Sequence, residues 1–134
     1  MDGTQDGIEE LRAANQAFYD AFEARDMDRM SDVWEHSDRV VCTHPGWQTL
    51  RGWGPVAASF FALFQQSGTP QFILTNEAVA QQGEVGWVSV DENILGAQTG
   101  TVAGLNVFAR DAGGRWRMVC HAGSPVMQGS PGVL

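Results

Sequence analysis

Apolar residues recur at helical spacing from Asp6 to Ala24, where Ile8, Leu11, Ala14, Phe18, Ala21 and Phe22 share one face of about five turns. Asp6 followed by Glu9 has the spacing of a capping box. Asp26 then suits a new N-cap, with Met27, Met30, Val33 and Trp34 on the inner face of a shorter second helix. A tryptophan in such a stripe fills space more often than it stacks on a ligand, which makes Trp34 a core residue first. Between Asp38 and Val56 the pattern changes. A short β-branched run, Arg39 to Thr43, is broken by His44-Pro45-Gly46, and Gly52-Trp53-Gly54-Pro55 breaks the chain again just before a third helix. Pro55 suits the first helical position and Gly68 a stop. Val56, Phe60, Leu63 and Phe64 form one stripe of that helix, and Ala57 and Phe61 part of another. It is therefore covered on two sides: by a sheet, and by a loop, a bound molecule or a second subunit.

From Gln71 onward, turn signals at Gln82-Gly83, Gln98-Thr99-Gly100 and Ala112-Gly113-Gly114 divide four strands, roughly Phe72–Gln81, Glu84–Ala97, Thr101–Arg110 and Arg115–Gly123. Short connections predict an antiparallel meander. The order α-α-β-β-α-β-β-β-β predicts one α+β domain, a curved antiparallel sheet wrapped around three N-terminal helices. Its core runs from about residue 8 to 125, and the tail 126–134 is left unassigned.

The turns also suggest register. A three-residue hairpin at Gln98-Thr99-Gly100 pairs Ala97 with Thr101 and sets Glu92 opposite Asn106. A loop tip at Ala112-Gly113 pairs Phe108 with Arg117 and Gly104 with His121. One sheet face then holds Val88, Val90, Glu92, Ile94, Val102, Asn106, Phe108, Val119 and His121. The other holds Trp87, Ser89, Asp91, Leu105, Val107, Trp116, Met118 and Cys120, rather apolar for a surface facing water, and predicts a homodimer through this outer face. A slip of one residue would exchange the two faces.

Glu92 among valines, near an amide and an imidazole, is the strongest chemical signal. Burial favours its protonated form, and with Asn106 and His121 as partners such a trio can shuttle protons near neutral pH. The same trio equally suits a hydrogen-bonded knot that fixes strand register. His44 precedes a Pro-Gly turn and can face the same cavity. A facial metal triad of His44, Glu92 and His121 is the weaker alternative, because their spacing over three distant segments carries little information. His36 follows a helix end and reads as a solvated or dipole-favoured cap.

Composition narrows the choice. The 134 residues fit one core. A net charge of −8 with no basic cluster argues against nucleic acid and against an anionic membrane surface. The first residues, Met-Asp-Gly-Thr-Gln-Asp, are unlike a signal or transit peptide, and no apolar run approaches the roughly 18 residues of a membrane span. Cys42 and Cys120 lie in apolar strands and are expected as free, packed thiols in a reducing cytoplasm. With no Gly-rich phosphate loop, Gly-x-Ser-x-Gly elbow or Cys-x-x-Cys, nucleotide binding and serine-hydrolase chemistry are poor fits.

Val-Cys-Thr-His-Pro-Gly-Trp (41–47), Leu-Arg-Gly-Trp-Gly-Pro-Val (50–56), Asp-Glu-Asn-Ile (91–94), Asn-Val-Phe (106–108) and Trp-Arg-Met-Val-Cys-His-Ala-Gly-Ser-Pro (116–125) resemble the SnoaL-like branch of the nuclear transport factor 2-like superfamily. The resemblance covers about Ile8 to Pro125. It implies a cone-shaped fold, also called cystatin-like, with a deep apolar pocket, commonly in a homodimer. The superfamily spans isomerases, cyclases, dehydratases, hydrolases and non-catalytic association domains, so fold leaves chemistry open. Members of this branch often carry His-His-His-Ala-Ser-Pro where this chain has Cys120-His121-Ala122-Gly123-Ser124-Pro125, a departure that weakens a metal reading and keeps one imidazole. No match to the tyrosine and two aspartates of ketosteroid isomerases is found, although Tyr19 lies in a helix.

Two functions remain. One is a cofactor-independent acid/base enzyme for a small apolar molecule, with Glu92 or His121 as acid or base, Asn106 orienting the substrate and His44 assisting, and with Trp34, Trp53, Phe60, Phe64 and Phe108 as apolar walls. The other is a non-catalytic dimer that binds a ligand or a protein.

Overall fold

The computed structural model describes residues 3–96 and 99–127. Its elements follow the expected order: α1 (Gly3–Ala24), α2 (Met27–Val33), β1 (Val41–Thr43), β2 (Leu50–Arg51), α3 (Trp53–Phe64), β3 (Gln71–Gln82), β4 (Val85–Leu95), β5 (Gly100–Arg110) and β6 (Trp116–Pro125). α1 begins at Gly3, so Asp6 is a first-turn carboxylate that favours the helix dipole and caps nothing. Asp26 does cap α2, accepting from the Arg29 N–H at 3.1 Å. α3 is entered through Gly52 at φ 88°, which places Pro55 third in the helix, where an N–H would still lack an intrahelical acceptor.

The six strands form one curved, unclosed sheet in the order β2-β1-β6-β5-β4-β3. It is mixed, whereas the sequence predicted an antiparallel one: β1 runs antiparallel to β2 but parallel to β6. The short-turn rule holds within β3–β6. α3 carries the chain from one edge of the sheet to the other, so the β1–β6 pair escapes that rule.

The register also differs. Thr101 faces Asn93, not Ala97, and Glu92 faces Val102, not Asn106. Part of the expected hairpin tip, Ala97 and Gln98, lies outside the described residues. From 97 to 93 is an even shift, so the expected faces of β4 and β5 survive. On β6, Asn106 faces His121, Gly104 faces Gly123, and Phe108 faces Met118. Val107 pairs with Cys120 while Phe108 pairs with Met118, which leaves Val119 as a bulge. That bulge turns Met118 and Trp116 onto the concave face with His121, correcting their predicted place on the outer face. A second bulge in β3 between Thr75 and Ala78, with Asn76 at φ 56°, bends the other end of the sheet around α1.

The core lies between the concave face and the helices. Leu11, Phe18 and Ala21 of α1, Val56 and Phe60 of α3, and Val88, Phe108 and Met118 of the sheet are buried. Phe18, Phe22 and Phe60 meet edge to face at 5.8 to 6.1 Å, an arrangement in which ring edges lie against ring faces. Trp34 is buried with them, 5.9 Å from Phe60. Outside, Ile73, Val85, Trp87 and Leu105 stand exposed on the convex face. Among the described residues no helix is long and apolar enough to cross a membrane.

Candidate active site

Five buried polar side chains from four elements form one hydrogen-bonded chain behind the concave face. α1 supplies Asn15 and Tyr19, which occupy the same sheet-facing side as Leu11, four residues apart. Tyr19 Oη donates to Glu92 Oε2 at 2.5 Å and accepts from Asn106 Nδ2 at 3.0 Å. Asn106 Nδ2 also donates to Asn15 Oδ1 at 2.8 Å, and His121 Nδ1–H donates to Asn106 Oδ1 at 2.6 Å. The direct strand pairing of Asn106 with His121 sets that last contact. Glu92 does not touch Asn106 as the sequence suggested; the phenol of Tyr19 joins them.

Space for the carboxylate comes from a missing side chain. A Cβ at Gly104 would lie 2.8 Å from Glu92 Oε2, closer than real Cβ contacts permit. Glu92 and His121 are each 3% exposed. Burial drives the Glu92 carboxyl up to about 7, against the opposing pull of the Tyr19 hydrogen bond. The Tyr19 hydroxyl is raised well above the ordinary phenol range by burial and by the Glu92 charge, so it stays a donor. Burial and then the nearby His44 push His121 down to about 3, and burial takes His44 down to about 4. Both imidazoles are therefore neutral at pH 7.

His44 stands 6.3 Å from His121 between ring centroids and makes its own contacts. Its Nε2 is 2.9 Å from Ser59 Oγ, and that hydroxyl donates to the Val56 carbonyl at 2.6 Å. Ser59 thus accepts from His44 Nε2–H. The Cys42 sulfur lies 3.7 Å from Nε2 and 3.9 Å from Nδ1 of the same ring. His44, Glu92 and His121 do not converge on a common point: Tyr19 holds one, Asn106 another, Ser59 the third. Among the described residues no group of three His, Cys, Asp or Glu side chains is disposed to hold a metal ion.

All three do border one cavity of about 960 Å³. They form its deep end. Its walls are Phe22, Leu63, Phe64, Phe72, Ile94 and Val102, and its mouth carries Arg25, Gln66, Ser67 and Thr99. Of the five expected wall residues, only Phe64 lies on the cavity. Phe60 and Phe108 are fully buried because they pack α3 and β5 onto the core. Trp34 borders a separate hollow of about 280 Å³ with His36 and Arg117, and Trp53 stacks on His36 at 4.5 Å with rings 6° apart. His36 does cap α2, donating to the Ser31 carbonyl at 2.8 Å. The sequence reading missed Asn15, Tyr19 and Ser59. Asn15 carried a usable signal, a polar side chain inside the stripe formed by Leu11, Phe18 and Phe22.

The SnoaL-like domain model matches residues 11–128. The chain belongs to the SnoaL-like family. A candidate dehydratase of the NTF2-like family from Streptomyces avermitilis is 33% identical, with 92% of this chain and 98% of that one covered and a TM-score of 0.85. A candidate calcium/calmodulin-dependent protein kinase type II association domain from Thiobacillus denitrificans is 36% identical, covering 87% of this chain and 94% of that one, with a TM-score of 0.74. A candidate ketosteroid isomerase from Shewanella frigidimarina shares the fold at 14% identity, covering 84% and 92%, with a TM-score of 0.73. The comparison with curated proteins returns no match. This SnoaL-like domain thus has relatives named both for catalysis and for association.

Proposed function

We propose that this SnoaL-like protein is a cofactor-independent acid/base enzyme that moves a proton on a small, largely apolar molecule held in the 960 Å³ cavity. One observation carries the reading: a buried carboxyl brought to about 7, hydrogen-bonded through Tyr19 to Asn106 and His121, borders a cavity with mostly apolar walls. A group that titrates near the working pH both takes and returns a proton readily. Glu92 is the acid or base; His121, neutral, is its counterpart across the deep end. Tyr19 and Asn106 position them, and His44 closes the site beside His121.

The test is solvent-deuterium incorporation, followed by NMR, into a panel of hydroxy-ketones with apolar bodies. Glu92→Gln should slow incorporation by about 100-fold or more, the scale of general acid/base catalysis, with the circular dichroism spectrum unchanged. Equal rates for the wild type and this variant would overturn the proposal.

A second reading, a non-catalytic dimeric binding or association domain, is favoured by the convex face. Trp87 lies across from Val107, and Val107 from Cys120, while Leu105 lies across from Ser89 and Ala122. This apolar, small-residue surface fits a second copy of the chain, and we propose a homodimer through it in either reading. Two free thiols support a reducing, cytoplasmic setting.

A further inference from the structure

With Glu92 ionised, as it is at pH 8, the hydrogen-bond donors that the described residues place at the deep end of the cavity are spent inside the protein. Tyr19 O–H goes to Glu92, Asn106 Nδ2 to Asn15 and Tyr19, His121 Nδ1–H to Asn106, and His44 Nε2–H to Ser59, whose own hydrogen goes to the Val56 carbonyl. A neutral imidazole with hydrogen on one nitrogen carries a lone pair on the other. That lone pair is on Nε2 in His121 and on Nδ1 in His44. Neither His121 Nε2 nor Glu92 Oε1 has a partner among the described residues. Asn15 Nδ2 is an unpaired donor, but Asn15 does not border the cavity. Near the lone pair of His44, the only donor among the described residues is the weak Cys42 S–H at 3.9 Å. Strong donors sit at the exposed mouth: the Ser67 hydroxyl and the Arg25 guanidinium, whose Nη1 donates to the Gln66 and Gly68 carbonyls at 2.8 and 3.3 Å.

The floor therefore presents acceptors and the rim presents donors. We propose that the cavity takes an apolar molecule hydroxyl-first, its O–H donated to His121 Nε2, and that it disfavours molecules offering only a carbonyl or ether oxygen at that end. A carbonyl oxygen placed there would meet lone pairs and find no donor in exchange for the water it gave up. A site built to satisfy one polar group rejects the analogue that lacks it far more strongly than an apolar wall rejects a methylene. This rests on the cavity being the ligand site, as proposed above, and adds the chemical class of the ligand.

Two measurements on the full chain at pH 8 test it. Nitrogen-15 NMR of the histidine rings should find hydrogen on Nδ1 of His121 and on Nε2 of His44; hydrogen on Nε2 of His121 would overturn the proposal without any ligand or variant. Titration calorimetry would then compare 2-naphthol with 2-methoxynaphthalene and 2-naphthaldehyde. 2-Naphthol should bind at least about tenfold more tightly than either, a difference of about 1.4 kcal/mol. His121→Phe, which keeps a ring and removes the lone pair, should bring the ratio close to one. Equal or tighter binding of the ether or aldehyde to the wild type overturns the hydroxyl preference and leaves the pocket reading standing. Binding of none of the three removes the pocket reading, and this inference with it.

Discussion

Tyr19 donates to Glu92 at 2.5 Å from a helix 73 residues away in sequence, and the same oxygen accepts from Asn106 at 3.0 Å. The phenol therefore stabilises the ionised carboxylate against its burial, and its loss should raise Glu92 above about 7. A hydrogen bond to a charged group is worth about 1.5–3 kcal/mol, so Tyr19→Phe should move that value up by about one to two pH units. Carbon-13 NMR titration of the glutamate carboxyls reads this directly. An unchanged midpoint would mean that the phenol does not act on the carboxyl in solution.

Stability should vary with pH in a way that separates the carboxyl from the imidazoles. Glu92 is raised on folding from 4.5 to about 7, so its contribution is fully present below 4.5 and is lost as pH rises toward 7. His44 and His121 are lowered from 6.5 to about 4 and about 3, so theirs is present above 6.5 and is lost as pH falls. Between pH 4.5 and 6.5 the unfolded chain holds two more protons on the histidines and one fewer on Glu92. The net excess of one proton makes stability rise by about 1.4 kcal/mol per pH unit there, with a maximum near pH 6.5. Glu92→Gln removes the opposing group and should roughly double the slope. Urea unfolding at five pH values checks both slopes, and a wild-type slope of opposite sign would refute the assignment.

Gly104 should be intolerant of alanine for a reason located at the carboxylate. The added Cβ would stand 2.8 Å from Glu92 Oε2 and 3.2 Å from its carboxyl carbon. Glu92 must then leave Tyr19, or the strand must shift, at a cost of about 1–3 kcal/mol. Gly100→Ala, in the same strand with open space around its Cβ position, is the matched control. Thermal unfolding should drop clearly for Gly104→Ala and little for Gly100→Ala. A similar drop in both would place the cost in the backbone.

The element order and the concave face were legible because each rests on local signals: Gly83 and Gly114 turn the chain at positive φ, and alternation along β4 and β5 survives an even register error. Glu92, Asn106 and His121 were found for the same reason, as polar residues interrupting an apolar face. The partner that joins them was not. Which residue of α1 reaches Glu92 depends on how the helix crosses the sheet, and no local pattern encodes that crossing. Val119 shows the same limit, since the bulge that brings Met118 and Trp116 inside carries no glycine or proline to announce it. The aromatic residues Phe60 and Phe108 were assigned to cavity walls on character alone, and packing claimed them for the core.

A homodimer through the convex face makes a prediction independent of the chemistry inside the cone. Leu105 is 42% exposed and sits at the centre of that face, across from Ser89 on one strand and Ala122 on the other. Because its side chain points away from the core, Leu105→Glu should leave the protomer folded. In a two-fold interface the new carboxylate is buried in both copies, so one substitution brings two unpaired charges into an apolar seam. Size-exclusion chromatography with light scattering should therefore give the dimer mass for the wild type and half that mass for the variant, with matching circular dichroism spectra. A monomeric wild type would remove the dimer from both functional readings. An unchanged dimer mass in Leu105→Glu would move the interface to another surface, leaving the exposed Trp87 and Leu105 to be explained by a different partner.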